Sequence, residues 1–169
     1  LSGEWVDYSG SVMAIDPSGR GADETSYAVI KMLNGFLYCP DVGGVEGGYS
    51  NKTLETLVDI AKTNNVNYVL VESNFGDGMF SELIKPYFSK EYPVTLEEVR
   101  HSKQKELRII DTLEPVMNQH KLVIDREVIQ KDYDSIQKYP NDVAQRYSLF
   151  YQLTRITKDR GALAHDDRL

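Results

Sequence analysis

Cysteine, tryptophan and histidine are nearly missing from this 169-residue sequence, which holds one Cys (Cys39), one Trp (Trp5) and three His. A lone cysteine permits no internal disulfide and no cysteine-based zinc cluster, and it suggests a reducing compartment. The histidines are scattered; His165, beside Asp166, has no second histidine at ligand spacing and reads as a surface residue or a neighbour of metal ligands. No apolar run approaches the length of a membrane span. Leu1 opens neither a signal peptide nor a natural initiation, so the expectation is a chain excised from something longer. Asn51-Lys52-Thr53 matches a glycosylation acceptor, a pattern short enough to arise by chance. Positive charge is also scarce, with 19 Lys and Arg against 26 Asp and Glu and a net charge of -7. That deficit argues against a free-standing binder of phosphate polymers, unless bound cations or a neighbouring domain offset it.

What is present is an ordinary soluble composition, 41% hydrophobic and 27% charged, long enough for one domain with a real core. The stretch from Val12 to Tyr27 organises the rest. Val12-Met13-Ala14-Ile15 has the length and composition of a buried strand, and it ends in Asp16 followed by turn residues. Pro17, Gly19 and Gly21 force the chain to turn back, so Thr25 to Leu33 is the returning strand. Asp16, Asp23 and Glu24 thereby gather around one glycine-rich turn. Carboxylates about 4 Å apart repel by roughly 4 kcal/mol per pair at an effective dielectric of about 20, which a hard divalent cation would relieve. A solvated acidic hairpin is the alternative. A phosphate-cradling loop is disfavoured, because the turn lacks both a Lys-Ser/Thr ending and a third glycine, and its acids would repel phosphate.

Farther along, Gly35 to Cys39 reads as a third short strand and Gly43 to Gly48 as a mobile loop. Ser50 or Asn51 caps a helix carrying Leu54, Leu57, Val58 and Ala61, which Asn64-Asn65 stops. Val66 to Glu72 repeats the opening pattern, an apolar strand ending in an acid before Ser-Asn-Phe-Gly-Asp-Gly. After a crossover helix it should lie parallel in the same sheet, placing Glu72 at the carboxyl end where sites in such sheets gather. Asp77 or Gly78 opens a helix with Phe80, Leu83, Ile84 and Phe88, interrupted at Pro86. Tyr92 to Val99 holds a further short strand. Lys103, Lys105 and Arg108 form a positive patch, either a solvated helix start or a set of phosphate contacts, leading into a helix with Leu107, Ile110, Leu113 and Met117. Leu122-Val123-Ile124 precedes a helix capped by Asp125 and carrying Val128, Ile129 and Ile136. Asn141 or Asp142 caps a last long helix with Val143, Tyr147, Phe150, Tyr151 and Leu153. Asp166-Asp167 look like the start of one more.

Three antiparallel strands, a helix, a parallel strand and a helix, with acids at Asp16, Glu72 and Asp166-Asp167, resemble the ribonuclease H-like nuclease fold: an α/β domain with a mixed central sheet flanked by helices. The motifs Met-Ala-Ile-Asp16-Pro-Ser-Gly-Arg-Gly-Ala-Asp23-Glu24-Thr, Val-Leu-Val-Glu72-Ser-Asn-Phe-Gly-Asp-Gly and Ala-His165-Asp166-Asp167-Arg-Leu resemble more closely the carboxy-terminal nuclease domain of the large terminase subunit. That subunit is the DNA-packaging motor of tailed phages, and the likeness is to the short-tailed phage type, the DNA maturases. The resemblance implies a single nuclease domain over 1–169, cut from a chain whose amino-terminal ATPase domain is absent. It implies an endonuclease that cuts concatemeric DNA at the start and end of packaging, in the host cytoplasm, alongside the small terminase subunit and the portal. Asp16, Glu72 and one of Asp166 and Asp167 match the family's metal-binding acids, and Asp23 matches a supporting acid. Two Mg2+ or Mn2+ ions would activate a water and stabilise the leaving 3'-oxygen. Arg20, Lys103, Lys105 and Arg108 are the candidate contacts to double-stranded DNA. The rival readings are an actin-like or sugar-kinase-like ATP-binding half domain and another nuclease of the same fold, such as a Holliday-junction resolvase.

Overall fold

The structure is a computed structural model that describes residues 6–18, 24–73, 78–101, 103–163 and 168–169. Its centre is a six-stranded mixed sheet in the order β5-β4-β1-β2-β3-β6. The first three strands, β1 (Gly10–Asp16), β2 (Thr25–Leu33) and β3 (Phe36–Val45), form an antiparallel meander. After helix α1 (Asn51–Thr63), strand β4 (Tyr68–Glu72) returns parallel to β1, as expected of a strand that follows a crossover helix in the same sheet. Helix α2 (Met79–Glu91) leads to β5 (Thr95–Val99), parallel to β4. Helix α3 (Lys105–Asn118) leads to β6 (Leu122–Ile124), parallel to β3. Helix α4 (Arg126–Ser135), a 3-10 turn at Ala144–Tyr147 and helix α5 (Leu149–Arg155) follow.

Alternation along the strands sorts the two faces. Met13 and Ile15 of β1, Val29 of β2 and Val69 and Val71 of β4 point to one side, where they bury against Leu54, Leu57 and Ala61 of α1 and Ile84 and Phe88 of α2. Ser50 caps α1 by accepting from the Thr53 amide, as the sequence suggested, and Asp125 caps α4 through the Glu127 amide. The opposite face carries a smaller cluster around Cys39, Val42, Val128 and Leu149.

Four local expectations are corrected. Strand β3 runs through Pro40, Gly43 and Gly44 to Val45, where a loop was expected. Its register against β2 shifts between Val29 and Lys31, so Pro40 falls in an irregularity of the ladder, where a missing N–H is tolerated. The two glycines are there because neighbours lie across them: an added methyl would meet the Tyr27 ring at Gly43 and the Glu24 carboxylate at Gly44. Helix α2 continues past Pro86, which sits on its exposed side where the freed carbonyl can turn to water. The buried positions of α3 are Glu106 and Ile109, while Met117 is 45% exposed, so the helix is rotated from the Leu107-Ile110-Leu113-Met117 stripe. The single long helix expected after Asp142 is instead a 3-10 turn and α5, divided at Ser148, whose hydroxyl accepts from the Tyr151 amide. The helix expected at Asp166-Asp167 lies outside the described residues.

Candidate active site at the ends of two neighbouring strands

The parallel register pairs Ile15 with Val71, so Asp16 and Glu72 are the next residues on adjacent strands. Both lie one step beyond an inward-facing residue and therefore share the face of Ala14 and Leu70, opposite the main core. Neighbouring strands are about 4.8 Å apart, so two carboxylates meet at the carboxyl edge of the sheet. Each is partly exposed, with side-chain accessibilities of 24% and 18%. They stand at the mouth of a cleft of about 410 Å³ between the sheet and α3, with Ala14, Ala28 and Leu70 on its floor and Ile109 and Leu149 on its walls.

Two cations from the first turns of α3 reach these acids. Lys105 Nζ lies 3.6 Å from Asp16 Oδ2, and Arg108 donates through Nη2 to Glu72 Oε1 at 3.0 Å. Residues 105 and 108 are one helical turn apart and face the same way, which is why one helix start can meet two strand ends. This attraction explains the rotation of α3 toward Ile109. Arg108 Nη1 is buried and makes no hydrogen bond among the described residues. Lys103 is exposed at the approach to the helix. Of the expected site residues, Asp16, Glu72, Lys105 and Arg108 therefore come together; Arg20, Asp23, Asp166 and Asp167 lie outside the described residues.

The pair suits a hard divalent cation. Asp16 and Glu72 offer oxygen donors side by side, their partial exposure leaves room for water ligands, and their joint negative charge already draws in Lys105 and Arg108. Among the described residues no group of three or more His, Cys, Asp or Glu side chains converges on one point. Further donors would have to come from outside them.

Behind Glu72, the carboxylate of Glu98 on β5 accepts hydrogen bonds from Ser73 and Ser81, and these, with Arg100, hold it below the usual carboxylate range. It ties the residue after Glu72 to the first turn of α2.

A second feature, not anticipated from the sequence, is a buried ionic clamp. Arg168 is 6% exposed, and its Nε and Nη2 donate to Glu24 Oε1 at 3.0 and 2.8 Å. Its Nη1 donates to Asp132 Oδ1 at 2.9 Å and to Ser135 Oγ at 2.6 Å, and its backbone amide to Gln152 Oε1 at 3.2 Å. Asp132 also accepts from Ser148 Oγ and the Leu149 amide, so a residue of α4 caps α5. The clamp joins the end of the first hairpin to α4, α5 and the last residues of the chain. In the sequence its only visible traces were Glu24, one of the acids clustered at the turn, and the arginine that follows the two aspartates of the third motif.

The sheet order and helix placement are shared with solved structures. A variant of the large terminase subunit of bacteriophage Sf6, in a structure with calcium, superposes with a TM-score of 0.58 at 15% identity, covering 92% of this chain and 75% of that one. The human cytomegalovirus terminase nuclease domain, soaked with Mn, superposes with a TM-score of 0.60 at 11% identity over 96% and 79% of the two chains. These likenesses show a shared fold. By sequence, the chain is 52% identical over 162 residues to the large terminase subunit of Enterobacteria phage T3, matching 96% of this chain and spanning 28% of that protein. The family model described as the bacteriophage T7 terminase, ribonuclease H-like domain, matches residues 15–122, a span that contains both Asp16 and Glu72. This chain belongs to the T7-type terminase ribonuclease H-like domain family.

Proposed function

We propose that this chain is the nuclease domain of a large terminase subunit, a metal-dependent endonuclease that cuts concatemeric viral DNA when packaging begins and ends. The observation that carries the reading is the meeting of Asp16 and Glu72 on one face of adjacent strand ends, with Lys105 and Arg108 over them. In this reading the acids hold two divalent ions, Mg2+ or Mn2+, with Asp166 or Asp167 and the nearby Asp23 completing the donor set. What the ions supply when bound is an acidified attacking water and neutralised charge at the scissile phosphate. Solved relatives of the same fold with calcium and with Mn support a divalent requirement.

The chain's own residues then have separate tasks. Asp16 and Glu72, fixed by the strand ladder, set the position at which the phosphate is bound. Arg108, held at Glu72 through Nη2, and Lys105, on its flexible stem, bind and orient phosphate oxygens; Lys103 and Arg20 extend the grip along the double-stranded DNA. No protein nucleophile is required. The relative's much greater length supports a longer protein in which an ATPase domain precedes this one, with the small subunit and portal as partners in the host cytoplasm.

Incubating the chain with supercoiled plasmid in Mn2+, Mg2+ or chelator tests the reading. Ion-dependent nicking and linearisation are expected. Plasmid left intact in every ion, or cut equally in chelator, would refute it.

A further inference from the structure

The basic residues of this acidic chain are not evenly spread. Segments 100–108 and 155–160 together hold seven of its 19 Lys and Arg (Arg100, Lys103, Lys105, Arg108, Arg155, Lys158, Arg160) against two acids, Glu106 and Asp159. The segments are far apart in sequence, yet the fold fastens them together. Gln104 Nε2 donates to the Lys158 carbonyl at 3.4 Å, and the Gly161 amide donates to Glu106 Oε1 at 2.5 Å. Glu106 is only 8% exposed, so its carboxylate needs this donor, and Gly161 supplies it from a turn at φ +71 that favours glycine. The Gly161 amide, helped by the amide of Glu106 itself, Gln104 and Arg160, holds the Glu106 carboxyl below its usual range. Of the two acids, then, Glu106 is turned inward as a clasp, and Asp159 accepts a hydrogen bond from the Thr157 hydroxyl.

Apart from the exposed Asp159, the charges left outward on the two segments are positive. Gln104 and Glu106 flank Lys105, the residue that faces Asp16 in the cleft, so the loop they fasten lies beside the cleft's mouth. Arg155, Lys158 and Arg160 are exposed there, as is Lys103. A patch of exposed cations beside an acidic pair fits one kind of partner, a polyanion whose backbone is gripped along the patch while one phosphate reaches the acids. We propose that the loop after α5 extends a phosphate-binding rim, Lys158 and Arg160 contacting the nucleic-acid backbone next to Lys103. This inference rests on the nuclease reading and assigns DNA-contacting residues that the three acidic motifs do not contain.

The test is fluorescence anisotropy of the 169-residue chain with labelled duplex DNA in calcium across a salt series. Each phosphate contact contributes about 0.9 to the slope of log affinity against log salt, so Lys158→Ala/Arg160→Ala should lower the slope by about 2. Lys158→Arg/Arg160→Lys should keep it, and so should Lys52→Ala/Lys62→Ala, which removes two exposed charges from α1 on the other face of the sheet. All four substituted side chains are exposed, so melting temperatures should be unchanged. A slope unaltered in Lys158→Ala/Arg160→Ala, or lowered equally in the α1 variant, overturns the rim while leaving the nuclease reading intact. A wild-type chain that binds no duplex overturns both.

Discussion

Asp16→Asn isolates the proposed chemistry from the fold, because the attraction of Asp16 to Lys105 and its repulsion by Glu72 oppose each other and the amide keeps the side chain's size. Asp16 lies 3.6 Å from Lys105 Nζ, an attraction of about 4–5 kcal/mol at an effective dielectric of about 20. The neighbouring Glu72, at the strand spacing of about 4.8 Å, repels Asp16 by roughly 3–4 kcal/mol on the same scale. Removing the charge deletes both terms, and the amide keeps the shape of the side chain. Without metal, the variant should therefore melt within about 3 °C of wild type, since 1 kcal/mol moves a chain of this size by roughly 2–4 °C. With Mn2+ at about 100 times its dissociation constant, the wild type gains about 2.7 kcal/mol, a rise of roughly 5–10 °C. The variant should lose most of that rise. Plasmid cleavage should fall by about 100-fold or more, the scale seen when one preorganised electrostatic contact to a transition state is removed. Thermal melts with and without Mn2+, run beside a cleavage assay, measure all three quantities. An Asp16→Asn chain that keeps the full Mn2+ shift, or cuts at the wild-type rate, refutes the assignment.

Three further outcomes follow from residues away from the acid pair. Arg168→Ala leaves Glu24 and Asp132 buried without their shared cation, and breaking such a network costs about 3–5 kcal/mol, so melting should drop by at least about 6 °C; Arg168→Lys should recover only part, because one ammonium cannot span both acids. A drop under about 2 °C would show that the clamp contributes little. Glu106 has its folded pKa depressed, first by the Gly161 amide, so it contributes stability above its unfolded pKa and that contribution is lost as pH falls through the folded value. Glu106→Gln should accordingly flatten the fall of melting temperature on the acid side, below about pH 4.5, and an unchanged profile would count against the clasp. Burial pushes the Cys39 thiol up to about 11, so the native chain should resist iodoacetamide at pH 8 and react only when unfolded in denaturant, as mass spectrometry would read directly.

Sequence legibility followed the range of the forces involved. The ends of β2, the Ser50 and Asp125 caps and the parallel return of β4 depend on neighbours a few residues away or on a crossover helix, and all were readable. The length of β3 was not. Gly43 and Gly44 looked like part of a loop because the side chains that lie over them, Tyr27 and Glu24, are distant in sequence. The face of α3 was misjudged for a related reason. Its apolar residues cover a wide arc, Leu107, Ile109, Ile110, Leu113 and Met117, that supports more than one stripe, and hydrophobic periodicity alone cannot choose between them. The choice falls to Lys105 and Arg108, whose partners Asp16 and Glu72 belong to other elements.

The same contrast separates the acid pair from the clamp. Each acid announces itself locally, as a carboxylate that ends an apolar strand before a turn, and the crossover rule then makes the two strands neighbours. Period-two alternation puts both side chains on one face. Adjacency of Asp16 and Glu72 thus needs two local patterns and one topological rule. The contact between Arg168 and Glu24 spans 144 residues, and no alternation or cap relates its two ends. Such a contact depends on the sheet, α4 and α5 to set the distance, and desolvation makes it costly to break. The proposed metal-binding acids can therefore be found by pattern, whereas the residues that hold their segments in place emerge only from the assembled core. Arg168 follows directly on Asp166-Asp167, and Glu24 directly on Asp23. In the proposed mechanism, loosening this clamp should weaken metal binding while leaving Asp16 and Glu72 untouched.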